Sequence, residues 1–254
     1  MPSRVLPSLA TAAVAVTTLL AGAPPAHAVA DTDPPVVNID PGFSYPVGTI
    51  LGSDEGNIAA LLTWKQYDAS GICGRSATFV EDRTGRTFDL GITPTQTSYA
   101  FTALVPWSIE NITIESVTMT TTDCAGNSST TRTGLHGTQL AQQSAFALSA
   151  GWKTAACRCW SGGGVVASTR IGATATLQFT GSSVALIGVK GAGRGRADIY
   201  VDGRRVSQVN ALDTGAGANR VVVANRRFPT YGTHVLKVVT TTTAKFEIDA
   251  VVTN

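Results

Sequence analysis

Between Ala173 and Thr180 every odd residue is apolar and every even one polar: Ala-Thr-Ala-Thr-Leu-Gln-Phe-Thr. Side chains of an extended chain point alternately to opposite faces, so this segment sets one face in a core and the other in water. A helix would scatter the same residues around its circumference. Gly181-Ser182-Ser183 then turns the chain into Val184–Val189, an apolar run that reads as a central strand. Asp202-Gly203, between Ile199-Tyr200-Val201 and Arg205-Val206, is a two-residue hairpin signal. Gly232-Thr233 introduces Val235–Val239, and Phe246–Val252 closes the pattern. From 145 to 254 the chain thus predicts about eight strands and no helix, the outline of a jelly roll.

Upstream the pattern is looser but of the same kind. Asp33-Pro34-Pro35 is an extended entry, because proline fixes φ and pushes its predecessor out of the helical region. Alternating stretches follow at Ile58–Tyr67, Ser76–Glu81, Ser98–Leu104 and Asn111–Thr122. Ser70-Gly71, Thr84-Gly85 and Ala125-Gly126-Asn127 supply the turns between them. Short strands spaced in this way predict a β-sandwich. Composition agrees, with 26 Gly and 11 Pro against two Met. The expected fold class is all-β: a first sandwich at 29–133, a short linker at 134–144, and a second sandwich at 145–254.

Residues 1–28 read as a signal peptide, with Arg4 as the positive region, Leu9–Leu20 as the apolar run and Ala26-His27-Ala28 as the cleavage site. The run is too short for a membrane span and Pro24-Pro25 ends it. A secreted chain makes disulfides the natural state of its four cysteines. Three pairings are open; the one that respects the expected boundary joins Cys73 to Cys124 and Cys157 to Cys159. A metal site at Cys157-Arg158-Cys159 lacks further cysteines or a clustered histidine to complete it.

Charge divides as the sequence does. Residues 29–144 carry 5 Lys+Arg against 12 Asp+Glu, whereas residues 145–254 carry 13 against 5, both hidden in a formal total of +2. The halves therefore face different partners or each other, and the basic one is the expected binding half. An internal interface between the two is one reading of this split.

Leu62–Ile72 and Val117–Ser128 resemble the bacterial Ig-like and fibronectin-III-like spacers of secreted proteins, over most of residues 33–133. The resemblance implies that Trp64 is buried between sheets. The chain departs from the commoner pattern of such modules in having Cys73 and Cys124 where many carry apolar residues, and a bridge between them would tie the turn after Trp64 to the strand end at Asp123. Such a bridge adds about 3–4 kcal/mol. Gly181–Gly191, Arg194–Gly203, Tyr231–Val238 and Ile248–Val252 are similar to the galactose-binding-like modules appended to secreted actinobacterial proteins. That resemblance implies the fold of the whole second half and leaves sugar, lipid or protein open as ligand.

Sugar recognition combines aromatic faces with hydrogen-bonding groups. Trp152 and Trp160 flank the second cysteine pair in a glycine-rich stretch that offers no periodic core for them, and Tyr231 stands on a turn. Lys190, Arg194 and Arg196 share one glycine-rich loop, which is not a phosphate loop because a strand, not a helix, follows it. These six are the candidate ligand-binding residues. Asp123 and Asn127, with Asp31 or Asp33, could ligate calcium, but short side chains at a turn more commonly bond their own backbone. Asp249 reads as a structural hydrogen-bond partner. No metal, cofactor, membrane or nucleic-acid partner is expected, and no nucleophile elbow, zinc motif or carboxylate pair points to catalysis. The expectation is a secreted, non-catalytic carbohydrate-binding protein for an anionic cell-envelope or plant polysaccharide. The alternative is a structural, adhesion or accessory protein whose Ig-like half contacts another secreted protein.

Overall fold

A computed structural model describes residues 30–52, 58–81, 86–103 and 114–254. The signal peptide expected at 1–28, the Thr84-Gly85 turn, Leu104 and Asn111–Thr113 lie outside the described residues. The first seven strands are β1 (Val36–Ile39), β2 (Ile58–Tyr67), β3 (Ile72–Glu81), β4 (Arg86–Asp89), β5 (Ser98–Ala103), β6 (Ile114–Asp123) and β7 (Ser128–His136). They form two antiparallel sheets, β1-β2-β5 and β4-β3-β6-β7. Alternate residues of β2, Ile58, Ala60, Leu62 and Trp64, fill the space between the sheets against Ala77, Val117, Met119 and Leu135. Trp64 is buried, as the periodicity of β2 requires.

Three of these strands escape sequence patterning. β1 and β4 are only four residues long. β7 is mostly hydroxyl-bearing on both faces. Its inward hydroxyls replace apolar contacts with hydrogen bonds: Ser129 donates to the Pro35 carbonyl and Thr131 to that of Val37. The Cys73–Cys124 disulfide, with Cα atoms 4.9 Å apart, joins the start of β3 to the residue after β6.

The second half contains β8 (Gln139–Gln142), β9 (Ala147–Leu148), β10 (Trp152–Ala156), β11 (Gly164–Ser168), β12 (Thr174–Lys190), β13 (Arg196–Val201), β14 (Arg204–Asn210), β15 (Ala218–Thr240) and β16 (Phe246–Thr253). Only single 3-10 turns, Gln143–Ala145 and Ser161–Gly163, interrupt the strands. The expected turn at Gly181-Ser182-Ser183 is instead a bend within one 17-residue strand, β12. Likewise Gly232-Thr233 lies inside the 23-residue β15. The two strands pair along their whole length and cross together from one layer to the other, with a register shift between Gly181 and Ser183. A Cβ on Gly181 would stand 2.7 Å from the Asn254 carbonyl oxygen, so the corner has room only for glycine. Asp202 and Gly203 both have positive φ, 51° and 78°, the conformation of a type I′ hairpin turn.

Because β12 and β15 change layers, one connected sheet makes both walls of the sandwich. One wall runs β10-β11-β16-β12-β15, and the other is made by the first part of β12 and the last part of β15 with β9, β13 and β14. Val184, Leu186, Val223 and Ile248 of the first wall meet Leu177, Ile199, Leu236 and Val238 of the second.

The centre of the first wall, β16 with the adjoining parts of β12 and β15, is buried on both faces. Ala185, Ile187, Val222, Ala250 and Val252 point away from the second sandwich and join Phe43, Tyr45, Leu51 and Leu140 in the core of the first. Backbone pairing reinforces the contact, with Gly48 N–H donating to Val222 O at 2.9 Å, Val222 N–H to Thr49 O at 2.8 Å and Leu51 N–H to Arg220 O at 2.8 Å. Residues 48–51 thus lengthen the wall beyond β15. The expected linker is also built in: β7 continues to His136, and β8 pairs with β16 from Gln139 to Gln142. Residues 31–254 accordingly form one compact unit. Continuous apolar runs such as Val184–Val189 and Ala250–Val252 are the sequence mark of a strand covered on both sides.

Candidate functional site

The antiparallel order of the second sandwich gathers several connections at one end. Gly172 N–H donates to Thr240 O at 2.8 Å, Asp213 N–H to Gly191 O at 3.1 Å and Gly195 N–H to Lys245 O at 2.9 Å. The loops after β11, β12, β14 and β15 therefore touch one another. Trp152 joins this end because it pairs with Ser168, which pairs with Phe246.

Arg170, Lys190, Arg194, Arg196 and Lys245 are carried on these loops and strand ends. Arg194 and Lys245 both contact the buried Glu247 carboxylate, Lys245 at 2.9 Å. Glu247 is 2% exposed, and two cations above it supply the charge compensation that a buried carboxylate requires. Arg194 is consequently anchored as well as charged. Arg196 is exposed, Lys190 half-buried, and among the described residues neither makes an ion pair. Trp152 is half-buried, and its Nε1 has no hydrogen-bond partner among the described residues.

Four of the six candidates, Trp152, Lys190, Arg194 and Arg196, thus share one end of the sandwich. Trp160 does not. It lies in the connection between β10 and β11, at the opposite end of that hairpin from Trp152. Tyr231 is farther still, at the β15 corner, where its ring stacks on His136 with centroids 3.6 Å apart. Three strands separate β10 from β15 in the shared wall, a lateral distance of about 19 Å. Arg170 and Lys245 escape sequence reasoning, since each comes from a different loop and only the fold brings them to the end of the sandwich that carries Lys190.

Among the described residues, the opposite charges of the halves meet at one partly buried point. Arg227 Nη2 lies 2.9 Å from Asp40 Oδ2, and Thr63 Oγ1 hydrogen-bonds with both side chains. The other described ion pairs, Arg194 and Lys245 with Glu247, Arg205 with Asp198, and His234 with Asp202, stay within the basic half.

Asp249 lies under the 157–163 loop, wholly buried, and accepts the Ser161 N–H at 3.0 Å. Burial pushes its carboxyl up to about 7; the Ser161 hydrogen bond and the charge of Arg220 offset only part of that effect. In the first half Asp31, Asp68 and Asp123 place carboxylate oxygens within 4.8 Å of one another. Asn127 occupies that turn with its own hydrogen bonds, its N–H to Asp123 Oδ1 at 2.7 Å and its Nδ2 to Asp123 Oδ2 at 2.8 Å. Burial pushes the Asp123 carboxyl up, but the Asn127, Gly126 and Ala125 hydrogen bonds outweigh it and hold the group below its ordinary value. His234 is stacked on Phe228, with centroids 3.8 Å apart, and Nδ1 lies 2.7 Å from Asp202.

An apolar cleft of about 400 Å³ opens in the first sandwich, lined by Phe43, Leu62, Phe79, Tyr99 and Phe101 among others. No helix of the described residues is long and apolar enough to cross a membrane.

No family model matches the sequence, and no curated protein matches it. Solved structures similar to part of it include a two-domain esterase active on acetylated mannans, co-crystallised with mannopentaose. That likeness has 18% identity and a TM-score of 0.39, covering 46% of this chain and 36% of the esterase. A family 35 carbohydrate binding module from Clostridium thermocellum is similar at 14% identity and a TM-score of 0.35, over 46% of this chain and 96% of the module. The module CsCBM6-3 from Clostridium stercorarium, in complex with cellobiose, is similar at 12% identity and a TM-score of 0.33, over 44% of this chain and 89% of the module.

Proposed function

We propose that this is a secreted, non-catalytic carbohydrate-binding protein whose ligand is an anionic polysaccharide of a cell envelope or plant wall. The observation that carries the reading is the gathering of Arg170, Lys190, Arg194, Arg196 and Lys245 at one end of the second sandwich, beside the half-buried Trp152. Of these five cations only Arg194 and Lys245 contact an acidic side chain, Glu247, among the described residues, so a cationic surplus is left for acidic groups of a polymer. Trp152 packs in part against the core of the second sandwich, and the exposed remainder of its ring is the proposed apolar contact for a pyranose. Lys190, Arg194 and Arg196 remain the proposed charged contacts; Trp160 and Tyr231 would belong to separate surfaces. The Ig-like half, 29–133, is proposed as the support of the binding half, 145–254, through the shared core.

Affinity electrophoresis of the full chain tests this reading, with polygalacturonate as the acidic polymer and galactomannan as the neutral one. Retardation is expected in polygalacturonate at low salt and should fade as salt rises, since exposed charges are screened over about 8 Å at physiological ionic strength. Migration unchanged by polygalacturonate and by other acidic polysaccharides at low salt would remove the proposal.

One observation favours a second reading. The aromatic cleft of the first sandwich is chemically suited to an apolar side chain of another secreted protein, as a structural or adhesion role would need.

A further inference from the structure

The two disulfides differ in what they hold. Cys73–Cys124 spans 51 positions and connects two strands of a sheet. Cys157–Cys159 spans two positions and connects a turn to itself. A crosslink limits the unfolded chain according to the loop that it closes, so a ring this small adds little restraint. Nor is it needed to shape the turn. Cys157 N–H already donates to Gly163 O at 3.0 Å, Trp160 N–H to Cys157 O at 3.2 Å, and Ser161 N–H to the buried Asp249.

What the pair does have is the setting of a reactive disulfide. Both cysteines are partly exposed, and Arg158 between them is exposed. The Cys159 N–H points at Cys157 Sγ, 3.1 Å away, where it would stabilise a thiolate. A neighbouring cation and an N–H donor are the features that make a sulfur a good leaving group.

We propose that Cys157–Cys159 is a thiol–disulfide exchange site whose substrates are dithiols of secreted peptides or proteins. A substrate thiolate attacks Cys159 Sγ; the S–S bond breaks, and its electron pair leaves on Cys157 Sγ, facing the Cys159 N–H. The second substrate thiolate then attacks the substrate's own sulfur in the mixed disulfide and expels Cys159 as a thiolate. The substrate loses two electrons and two protons and gains a disulfide, while Cys157 and Cys159 become thiols. This activity is independent of polysaccharide binding.

The test uses the full chain, titrated with dithiothreitol at neutral pH, alkylated and mapped by mass spectrometry. Cys157 and Cys159 should be alkylated at a dithiothreitol concentration at least tenfold below that which opens Cys73–Cys124. A synthetic Cys-Gly-Gly-Cys dithiol should then be oxidised stoichiometrically by the native chain and not by Cys159→Ser. Reduction of both disulfides over the same range, failure of the native chain to oxidise the peptide, or oxidation retained in Cys159→Ser would each overturn the assignment.

Discussion

Residues 145–254 expressed without the first half will aggregate, while the full chain stays soluble at the same concentration. Separation uncovers Ala185, Ile187, Val222, Ala250 and Val252, all 0% exposed in the intact protein. Together they make a contiguous apolar patch on one sheet face, a surface that isolated soluble domains rarely carry. Threonine at 187, 222 and 252 should restore solubility to the isolated half, because its hydroxyls would then face water. In the full chain the same changes bury hydroxyls without partners and remove methyl groups, and Ile187→Thr alone should cost about 2–3 kcal/mol. The two measurements are light scattering of the isolated half and denaturant unfolding of the full chain. A soluble, cooperatively folded second half with the native residues would show that the shared core is dispensable.

Asp249→Asn should stabilise the protein above pH 7 and leave it unchanged near pH 4. In the unfolded chain this carboxyl ionises near 3.9, whereas burial holds it protonated in the fold up to about 7. Below about pH 4 the group is protonated in both states and has no effect on the balance. Between about 4 and 7 the folded state binds the extra proton, so stability falls as pH rises; above 7 the loss is complete. Its full size is on the order of 4 kcal/mol. Asparagine keeps an acceptor for the Ser161 N–H and never ionises, so the difference between variant and native protein should grow across that window. Thermal unfolding at pH 4, 6 and 8 measures it. An equal effect at all three values would mean that the Asp249 carboxyl is already charged in the fold.

Much of the architecture was legible because strands announce themselves by alternation and by turn residues. β2 and β16 follow their apolar patterns closely, and Asp202-Gly203 makes the expected hairpin. Bends were harder to read than turns. Gly181 and Gly232 look like strand ends, yet lie opposite each other inside two strands that cross from wall to wall. Sequence cannot separate these cases locally, because what decides them is the pairing partner. The apolar run Val184–Val189 did carry a signal of burial on both faces, but not the identity of the cover, which comes from Phe43, Tyr45 and Leu51 well over a hundred positions away.

The candidate site was legible to the extent that it is local. Lys190, Arg194 and Arg196 share a loop, so their proximity follows from covalent structure. Arg170, Lys245 and Glu247 join them only through the antiparallel path of β11, β12, β15 and β16. Aromatic residues mislead for a related reason. Trp152 and Trp160 are close in sequence but separated by the length of a hairpin strand, and Tyr231 is committed to His136 across the corner.

Binding of the full chain to polygalacturonate, measured calorimetrically over a salt series for the native protein and for Lys190→Ala/Arg196→Ala, tests the functional proposal most directly. Both side chains lack an ion pair among the described residues, so their removal should leave the unfolding temperature unchanged. Affinity should fall steeply with salt for the native chain, and at low salt the double variant should bind at least tenfold more weakly. Equal affinity in the two proteins, or binding insensitive to salt, would contradict a cationic polysaccharide site at this end of the second sandwich.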